Sequence, residues 1–573
     1  MWEKLEKAGR VLASYPMEAL NYEFPPLFHA TGKAGATVIL ENDGTLKDVI
    51  LHDKPQPIIF PVTEDSMKRT SQPETKPHPL SEQLGFLLDP YTTRLSWWAK
   101  WVEDRHGLNS PVSEFLWAVL AYVTAGTVQT DVEAAGGNAK TMIRWQVGDV
   151  TCWNSEPLME SWIEYYGETL RKTLPVGVDQ VTGKEDILKD PKSFPKAILP
   201  GHGNGKFISA ADETEFTWRG FFAVPQEALT VSVPSSHYAH QALKYLAQYN
   251  GLNIGNGDTL ILWAPDDPTA KLTPNLWRTD EDNPLPFAWS DGFLENYMDH
   301  VKIPEHLKDS MMVTMICGGA TTGRNSTKYY EEGKTSAYLD NIARWRYKTG
   351  WEIHVKGTPE PRPFFPSIKL LIDMAFGSMM KNKRTASDGI TVVWTKRLHL
   401  AMLNDNPLPE HLIHALVSRC VTAGIYEHMI WPTTLAALRK HYIDTTGEVY
   451  NPMLDTENLD RNYLFGRLLA WYEAFEKASF NPGEERLTTA ERRRGLFMKN
   501  PLTEAYVLEE KSKIWKRKLN RYNAGLAAWY SRNIQEMWNT IGNASDLELE
   551  PSFLFGYNAM KKTIYTKRED REN

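Results

Sequence analysis

A glycine in the middle of an apolar helix places the tightest constraint on what this chain can fold into. Residues 455–470 read Asp-Thr-Glu-Asn-Leu-Asp-Arg-Asn-Tyr-Leu-Phe-Gly-Arg-Leu-Leu-Ala. Polar residues lead into apolar positions Leu464, Leu468, Tyr472 and Phe475, with Trp471 beside them, and this is helical spacing. Gly466 falls inside that helix, where glycine costs roughly 1 kcal/mol relative to alanine. Close approach of a second backbone is the usual offset, so the segment calls for a tightly packed partner. Arg467 adds a permanent cation to a helix that is otherwise mostly apolar and aromatic.

Upstream the pattern is mixed. Residues 36–40 and 45–50 flank Asn42-Asp43-Gly44, which predicts strand, turn and strand. From Lys54 to Pro79 prolines are frequent and apolar periodicity is absent, so an irregular loop is expected. Residues 81–130 read as helical, with Trp97, Trp98 and Trp101 on one side. Residues 140–232 read as short β-like runs with turns. Ser236–Tyr249 reads as a helix, 259–264 and 311–317 as inner strands, and Tyr338–Trp351 as a helix. The break Pro359-Glu-Pro-Arg-Pro-Phe-Phe-Pro366 follows, and beyond it helical periodicity dominates. At 573 residues the chain exceeds a single core. The expected class is therefore α+β, a mixed α/β amino-terminal region followed by an all-α carboxy-terminal helical bundle. Divisions are expected at 1–130, 131–365 and 366–573.

Charge limits the function classes. A net charge of −8 argues against a free-standing nucleic-acid binder, since phosphate neutralisation supplies most of such a protein's affinity. Local basic clusters within a larger assembly remain compatible with it. The aromatic share of 11% suits cores and subunit interfaces before base stacking. Cys152, Cys317 and Cys420 have no redox or metal spacing and fit a reducing compartment. No signal-peptide pattern and no bilayer-length apolar run is found, so a cytoplasmic chain without membrane contact is expected.

Catalytic motifs fail on inspection. Gly201-His-Gly-Asn-Gly-Lys206 has Pro200 and Phe207 where a phosphate-cradling loop needs Gly and Ser or Thr. His237-Tyr-Ala-His240 and His411-Leu-Ile-His414 lack the adjacent Glu of zinc hydrolases. His52-Asp53 is a lone dyad, and no G-x-S-x-G elbow occurs. No enzyme activity, metal or cofactor is expected.

Binding candidates survive better. Met67-Lys-Arg-Thr-Ser-Gln72 and Lys76-Pro-His78 place Lys68, Arg69, Ser71, Gln72 and Lys76 on a proline-framed loop. Such a loop suits a DNA groove, with cations on phosphate or acceptor edges and Ser or Gln on bases. A solvated surface loop is the plainer reading. Asn204 and Lys206 belong to a turn whose backbone donors suit a phosphate, or to a simple hairpin.

Several phrases follow one another in order. They are PVTEDSMKRTS and KPHPL within residues 61–80, GNGKFISA from Gly203, EFTWRG from Glu215 and SHYAHQALKYL from Ser236. LILWA from Leu260, TTGRNSTKYY from Thr321 and YLDNIARW from Tyr338 come next, then YLFGRLLA from Tyr463, TxAER from Thr488 and LxGY from Leu554. From about residue 60 to the end this resembles the large subunit of type I-C CRISPR Cascade, a crRNA-guided DNA surveillance complex. Residues 130–200 contribute little to the likeness.

The resemblance implies a subunit that is not a nuclease. It implies inspection of the protospacer-adjacent motif (PAM) in double-stranded DNA, help in opening the duplex, stabilisation of the R-loop, and recruitment of a helicase-nuclease. The implied partners are crRNA, target DNA, other Cascade backbone and small subunits, and that helicase-nuclease. Lys68, Arg69, Ser71, Gln72 and Lys76 carry the inspection role, with Asn204 and Lys206 as further contributors. In the bundle, Arg467, Arg492, Arg493, Arg494, Lys499, Lys516, Arg517 and Lys518 are the candidates for strand binding. Residues 451–573 hold 20 Lys and Arg against 18 Asp and Glu, slightly positive where the rest is negative. A separate small subunit started at Met453 would be a fragment of about 120 residues, matching the segment 452–573. A scaffold without base readout, or a nuclease with unrecognised metal ligands, are the alternatives.

Overall fold

Asp43 and Gly44 make the first turn of the first sheet. The Asp43 carboxylate accepts the Thr45 backbone N–H at 2.9 Å and the Thr45 hydroxyl at 2.6 Å. Gly44 takes φ +83°, a conformation that side chains resist. On either side run β1 (His29–Leu40) and β2 (Leu46–Pro61), antiparallel, with Val38 opposite Val49. This computed structural model describes residues 1–21, 23–68, 75–196, 205–210, 221–255, 257–270, 305–321, 323–353, 361–380, 383–422 and 429–572. They form two compact units. One comprises Met1–Asn253, Gly257–Thr273 and Asp309–Gly333; the other comprises Ile254–Asn256, Pro274–Lys308 and Lys334–Asn573. The class is α+β, with strands and helices in the first unit and mainly helices in the second.

In the first unit β1 also pairs with β3 (Ile143–Val147), in parallel, and β4 (Val150–Thr151) completes the order β2-β1-β3-β4. Parallel neighbours require a long crossover. Here it contains α2 (Tyr91–His106), α3 (Pro111–Ala125) and α4 (Val128–Ala134), whereas α1 (Trp2–Ala13) precedes the sheet. Leu95, Trp98, Phe115, Val119 and Val123 pack on Val38, Leu40 and Trp145. α5 (Glu156–Thr173) adds Leu158, Trp162, Tyr166 and Leu170, four residues apart along one face. After α5 come the hairpin of β5 (Val176–Val178) and β6 (Glu185–Ile187), then α6 (Pro225–Ala228) and α7 (Val233–Tyr249). A second sheet joins β7 (Gly251–Gly255), β8 (Asp258–Trp263), β9 (Met311–Thr321) and β10 (Arg324–Lys334) in the order β10-β9-β8-β7. Leu5 and Leu12 of α1 and Leu243 and Leu246 of α7 cover Trp263 and Met315 of that sheet.

Three local expectations need correction. Lys54–Pro61 is strand rather than loop, with Lys33 opposite Pro57 and His29 opposite Pro61. An edge strand tolerates proline because its outer amides have no partner to bond. Residues 156–173 are a helix where short β-like runs were expected. The three tryptophans do not share a side. Trp98 is buried and Trp101 half-buried, but Trp97 is 60% exposed, since adjacent helical residues diverge by about 100°.

The second unit contains α8 (Thr335–Thr349) and the pair β11 (Trp351–Ile353) and β12 (Arg362–Phe364). α9 (Ile368–Phe376) leads into the hairpin of β13 (Ser378–Met380) and β14 (Lys383–Thr385). Then follow α10 (Asp388–Leu403), α11 (Glu410–Val421), α12 (Ile430–Thr445), α13 (Arg461–Ala478), α14 (Thr489–Lys499), α15 (Pro501–Leu519), α16 (Ala524–Ile541) and α17 (Phe553–Glu572). No single described helix is long and apolar enough to cross a membrane.

α13 is the central helix, and its start and its glycine behave as the sequence requires. The Asp460 side chain accepts the Tyr463 N–H at 3.0 Å and caps it. α14, α15, α16 and α17 all pack against it. A Cβ on Gly466 would lie 2.0 Å from the Phe553 carbonyl oxygen, and one on Gly556 would lie 2.1 Å from the Tyr463 carbonyl oxygen. The two glycines let α13 and α17 touch backbone to backbone. Gly466→Ala should therefore lower stability by about 1–3 kcal/mol or more, despite the gain of up to ~1 kcal/mol in helix propensity. Gly495→Ala on α14, whose added Cβ meets nothing closer than 3.5 Å, should be neutral or stabilising. Urea unfolding of both variants checks the pair.

Candidate nucleic-acid interface

The basic loop is held at its two stems. Ser66–Lys68 is a short 3-10 turn, and the chain is described again from Thr75. Ser66 Oγ accepts the Thr63 N–H at 2.9 Å and lies 2.9 Å from His78 Nδ1, which joins the two stems directly. The Glu82 carboxylate accepts the His78 backbone N–H at 2.6 Å, and the His78 ring lies 4.9 Å from Phe60, edge to face. Arg94 of α2 closes the clamp. Its guanidinium donates to Asp65 at 2.7 Å on one stem and to the Pro77 carbonyl at 3.2 Å on the other. Burial resists ionisation of Asp65, but hydrogen bonds from Thr63 and Arg94 outweigh it and hold the carboxyl below its ordinary value.

Arg69, Ser71 and Gln72 lie outside the described residues, as does the side chain of Lys68. Lys76 is half-buried on the second stem. Asn204 also lies outside the described residues, whereas Lys206 is placed beside β10. Its backbone N–H donates to the Gly323 carbonyl at 3.0 Å and its carbonyl accepts from Asn325 at 2.9 Å. One short segment links it to the loop. Lys189 pairs with Glu64 on the first stem, and the Lys192 carbonyl accepts Lys206 Nζ at 2.9 Å. Three residues span at most about 11 Å, so the stem and Lys206 belong to one neighbourhood.

In the second unit the candidate cations separate by burial. Arg492, Lys499, Lys516 and Arg517 are exposed. Arg493 is bidentate on Glu504, with one contact at 2.8 Å, and Lys518 lies 3.6 Å from Glu484. Arg467 is half-buried, its Nε enclosed without a hydrogen-bond partner among the described residues, and desolvation lowers its pKa against the pull of Tyr463 and Asp455. Arg494 differs from the expectation of strand contact because it is buried. It donates to the Cys420 carbonyl at 2.7 Å and to the Tyr557 hydroxyl at 3.2 Å, lies 3.7 Å from Glu473, and sits over Trp431. Its charge is used inside the bundle. Met453 is 70% exposed, ahead of α13.

The family model described as CRISPR-associated protein (Cas_Csd1) matches residues 11–565. The chain belongs to that family. It is a CRISPR-associated protein. No curated protein matches it individually. Family membership covers both the clamped loop and the cationic helices.

For this CRISPR-associated chain, sequence reading missed the residues that build the clamp. Asp65, Ser66 and His78 lie in or beside the basic phrase, but Arg94 and Lys189 are distant in sequence, and no short-range spacing announces them. Among the described residues no group of three or more His, Cys, Asp or Glu is placed to hold a metal ion. His240 is instead buried and His237 half-buried, donating to the Ser236 carbonyl at 2.7 Å and the Pro25 carbonyl at 3.2 Å respectively.

Burial lowers His237 and His240 to about 4, assisted by the nearby Lys189, and lowers His29 to about 4, assisted by His237. Each is neutral when folded and titrates near 6.5 when unfolded, so the unfolded chain binds more protons between those values. Their contribution is fully present above pH 6.5 and is lost as pH falls towards 4. Urea unfolding from pH 7 to pH 4.5 should show stability falling as acid is added. His29→Gln should flatten the slope by about 1.4 kcal/mol per pH unit, one proton's worth.

Proposed function

We propose that this chain is the non-catalytic large subunit of a type I-C crRNA-guided surveillance complex, acting in the cytoplasm. In this reading it inspects the PAM in double-stranded DNA, helps open the duplex and stabilises the R-loop. It assembles with crRNA and the other Cascade backbone and small subunits, and it supports recruitment of a helicase-nuclease. The guide reads most of the target by base pairing, and the protein reads a short duplex element.

The clamp is the observation that carries this reading. Base-edge contacts need side chains delivered at a fixed height and angle to a groove, whereas a solvated loop needs no anchoring. Ser66, His78, Asp65 and Arg94 fix both ends of the segment that bears Lys68, Arg69, Ser71, Gln72 and Lys76. Lys206 and Asn204 would add phosphate contacts from the neighbouring turn. In the bundle, Arg467, Arg492, Lys499, Lys516 and Arg517 would take strand phosphates without sequence preference, each adding roughly 0.7–0.9 to the salt slope.

Guide-loaded complexes containing Arg69→Ala with Gln72→Ala test the inspection role on duplexes that differ only beside the protospacer. A lost base contact costs about 1–3 kcal/mol, so discrimination should fall at least tenfold while assembly is unchanged. Undiminished discrimination would favour a scaffold without base readout.

The same reading includes a small subunit started at Met453. The helices downstream of that residue, α13 to α17, pack on one another. Changing Met453 to Leu should remove a fragment of about 120 residues from a blot probed at the carboxy terminus and leave the full chain intact. A persisting fragment would exclude this start.

A further inference from the structure

Between α7 and the β1–β2 pair of the first unit lies a groove of about 210 Å³. Lys33 from β1 and Lys244 from α7 both line it, and neither forms an ion pair with a described residue. Lys244 Nζ donates to the Thr31 hydroxyl at 3.3 Å, which steadies its cation at the wall. The ring of Tyr245 forms another part of the lining, half-buried and 4.6 Å from Tyr249. One carboxylate, Glu23, is present. It is already occupied, accepting from Gln248 Nε2 at 3.0 Å and from the Tyr249 hydroxyl. The groove therefore offers two cations without acidic partners among the described residues, a ring, and the polar side chains of Asn21, Thr31 and Gln248.

We infer that this groove holds one nucleotide of a single-stranded nucleic acid, with Lys33 and Lys244 on its phosphate and the Tyr245 ring against its base. Enclosed small-molecule sites are typically about 300–1,000 Å³ and mainly apolar. This one is smaller and carries a lysine on each of two walls, which suits a short stretch of a charged polymer passing through. Cations tracking a backbone beside an aromatic ring are the general solution for single strands. A duplex keeps its bases stacked inside and would leave the ring without a partner. The site stands on the groove's own chemistry, apart from the clamped loop, so duplex discrimination and single-strand binding can fail independently.

The test uses the full chain and a fluorescein-labelled eight-nucleotide oligouridylate, with binding followed by anisotropy across a salt series. Lys33→Glu with Lys244→Glu should weaken binding at least tenfold and reduce the salt slope by roughly 1.4, two single-strand contacts' worth. Tyr245→Leu should weaken it at least fivefold with the slope unchanged, as loss of one stacked base predicts. Lys47→Glu, an exposed cation paired with Glu41 away from the groove, should retain wild-type affinity. Thermal melts of each variant separate loss of binding from loss of fold. Unchanged affinity in the folded double variant would overturn the proposal, as would an equal loss in Lys47→Glu. Displacement of the oligonucleotide by inorganic phosphate together with a silent Tyr245→Leu would reduce the groove to a small-anion site and also overturn it.

Discussion

The backbone contact between α13 and α17 sets the geometry of the second unit. Gly466 and Gly556 remove the two methyl groups that would hold the helices apart, and the side chains along the seam are arranged for that short separation. Glu473, buried on α13, accepts from Lys561 on α17 at 2.5 Å, lies 3.7 Å from Arg494 on α14, and also accepts from the Tyr557 hydroxyl. Burial favours the neutral carboxyl, yet Lys561 and Arg494 keep it ionised, with its pKa below the ordinary value. Breaking a buried pair by removing one partner costs about 3–5 kcal/mol because a charge is left uncompensated. The glycines therefore control an electrostatic arrangement as well as a packing distance. Tyr450, stacked on Phe555 at 4.3 Å, extends the same seam towards α12.

The first unit follows a different logic, with a rigid base under a polar segment. A loop whose ends are already together has less freedom to lose when it meets a ligand. Arg94 bridges both stems, and Lys189 reaches the first stem from another part of the chain. Burying a lysine there restricts what can surround it. The adjacent His237 and His240 are held neutral by burial, which avoids three cations sharing one enclosed volume.

Elements with local determinants were legible in the sequence. The Asp43-Gly44 turn, the Asp460 cap, the fully buried strand β8 and the demand for close packing at Gly466 depend on neighbours within a few residues, or on one steric fact. Features that depend on position in the tertiary structure were not. Pro57 and Pro61 read as loop because their tolerance rests on β2 being an edge, a property of the sheet rather than of the segment. Arg494 looked like any member of the 492–494 cation run, and only Glu473, Cys420 and Tyr557, all remote in sequence, make it a core residue. The basic phrase was visible as a candidate, but its anchoring by Arg94 required the packing of α2.

The prolines of β2 also bear on how this protein meets other chains. Pro57 and Pro61 are an even number of residues apart, so their missing amides fall on one side of the strand, and pairing with β1 places that side outward. A row of donors with gaps is a poor template for an added strand. That end of the β2 edge is thereby closed to lateral growth, so an association there must be built from side chains rather than from shared backbone hydrogen bonds.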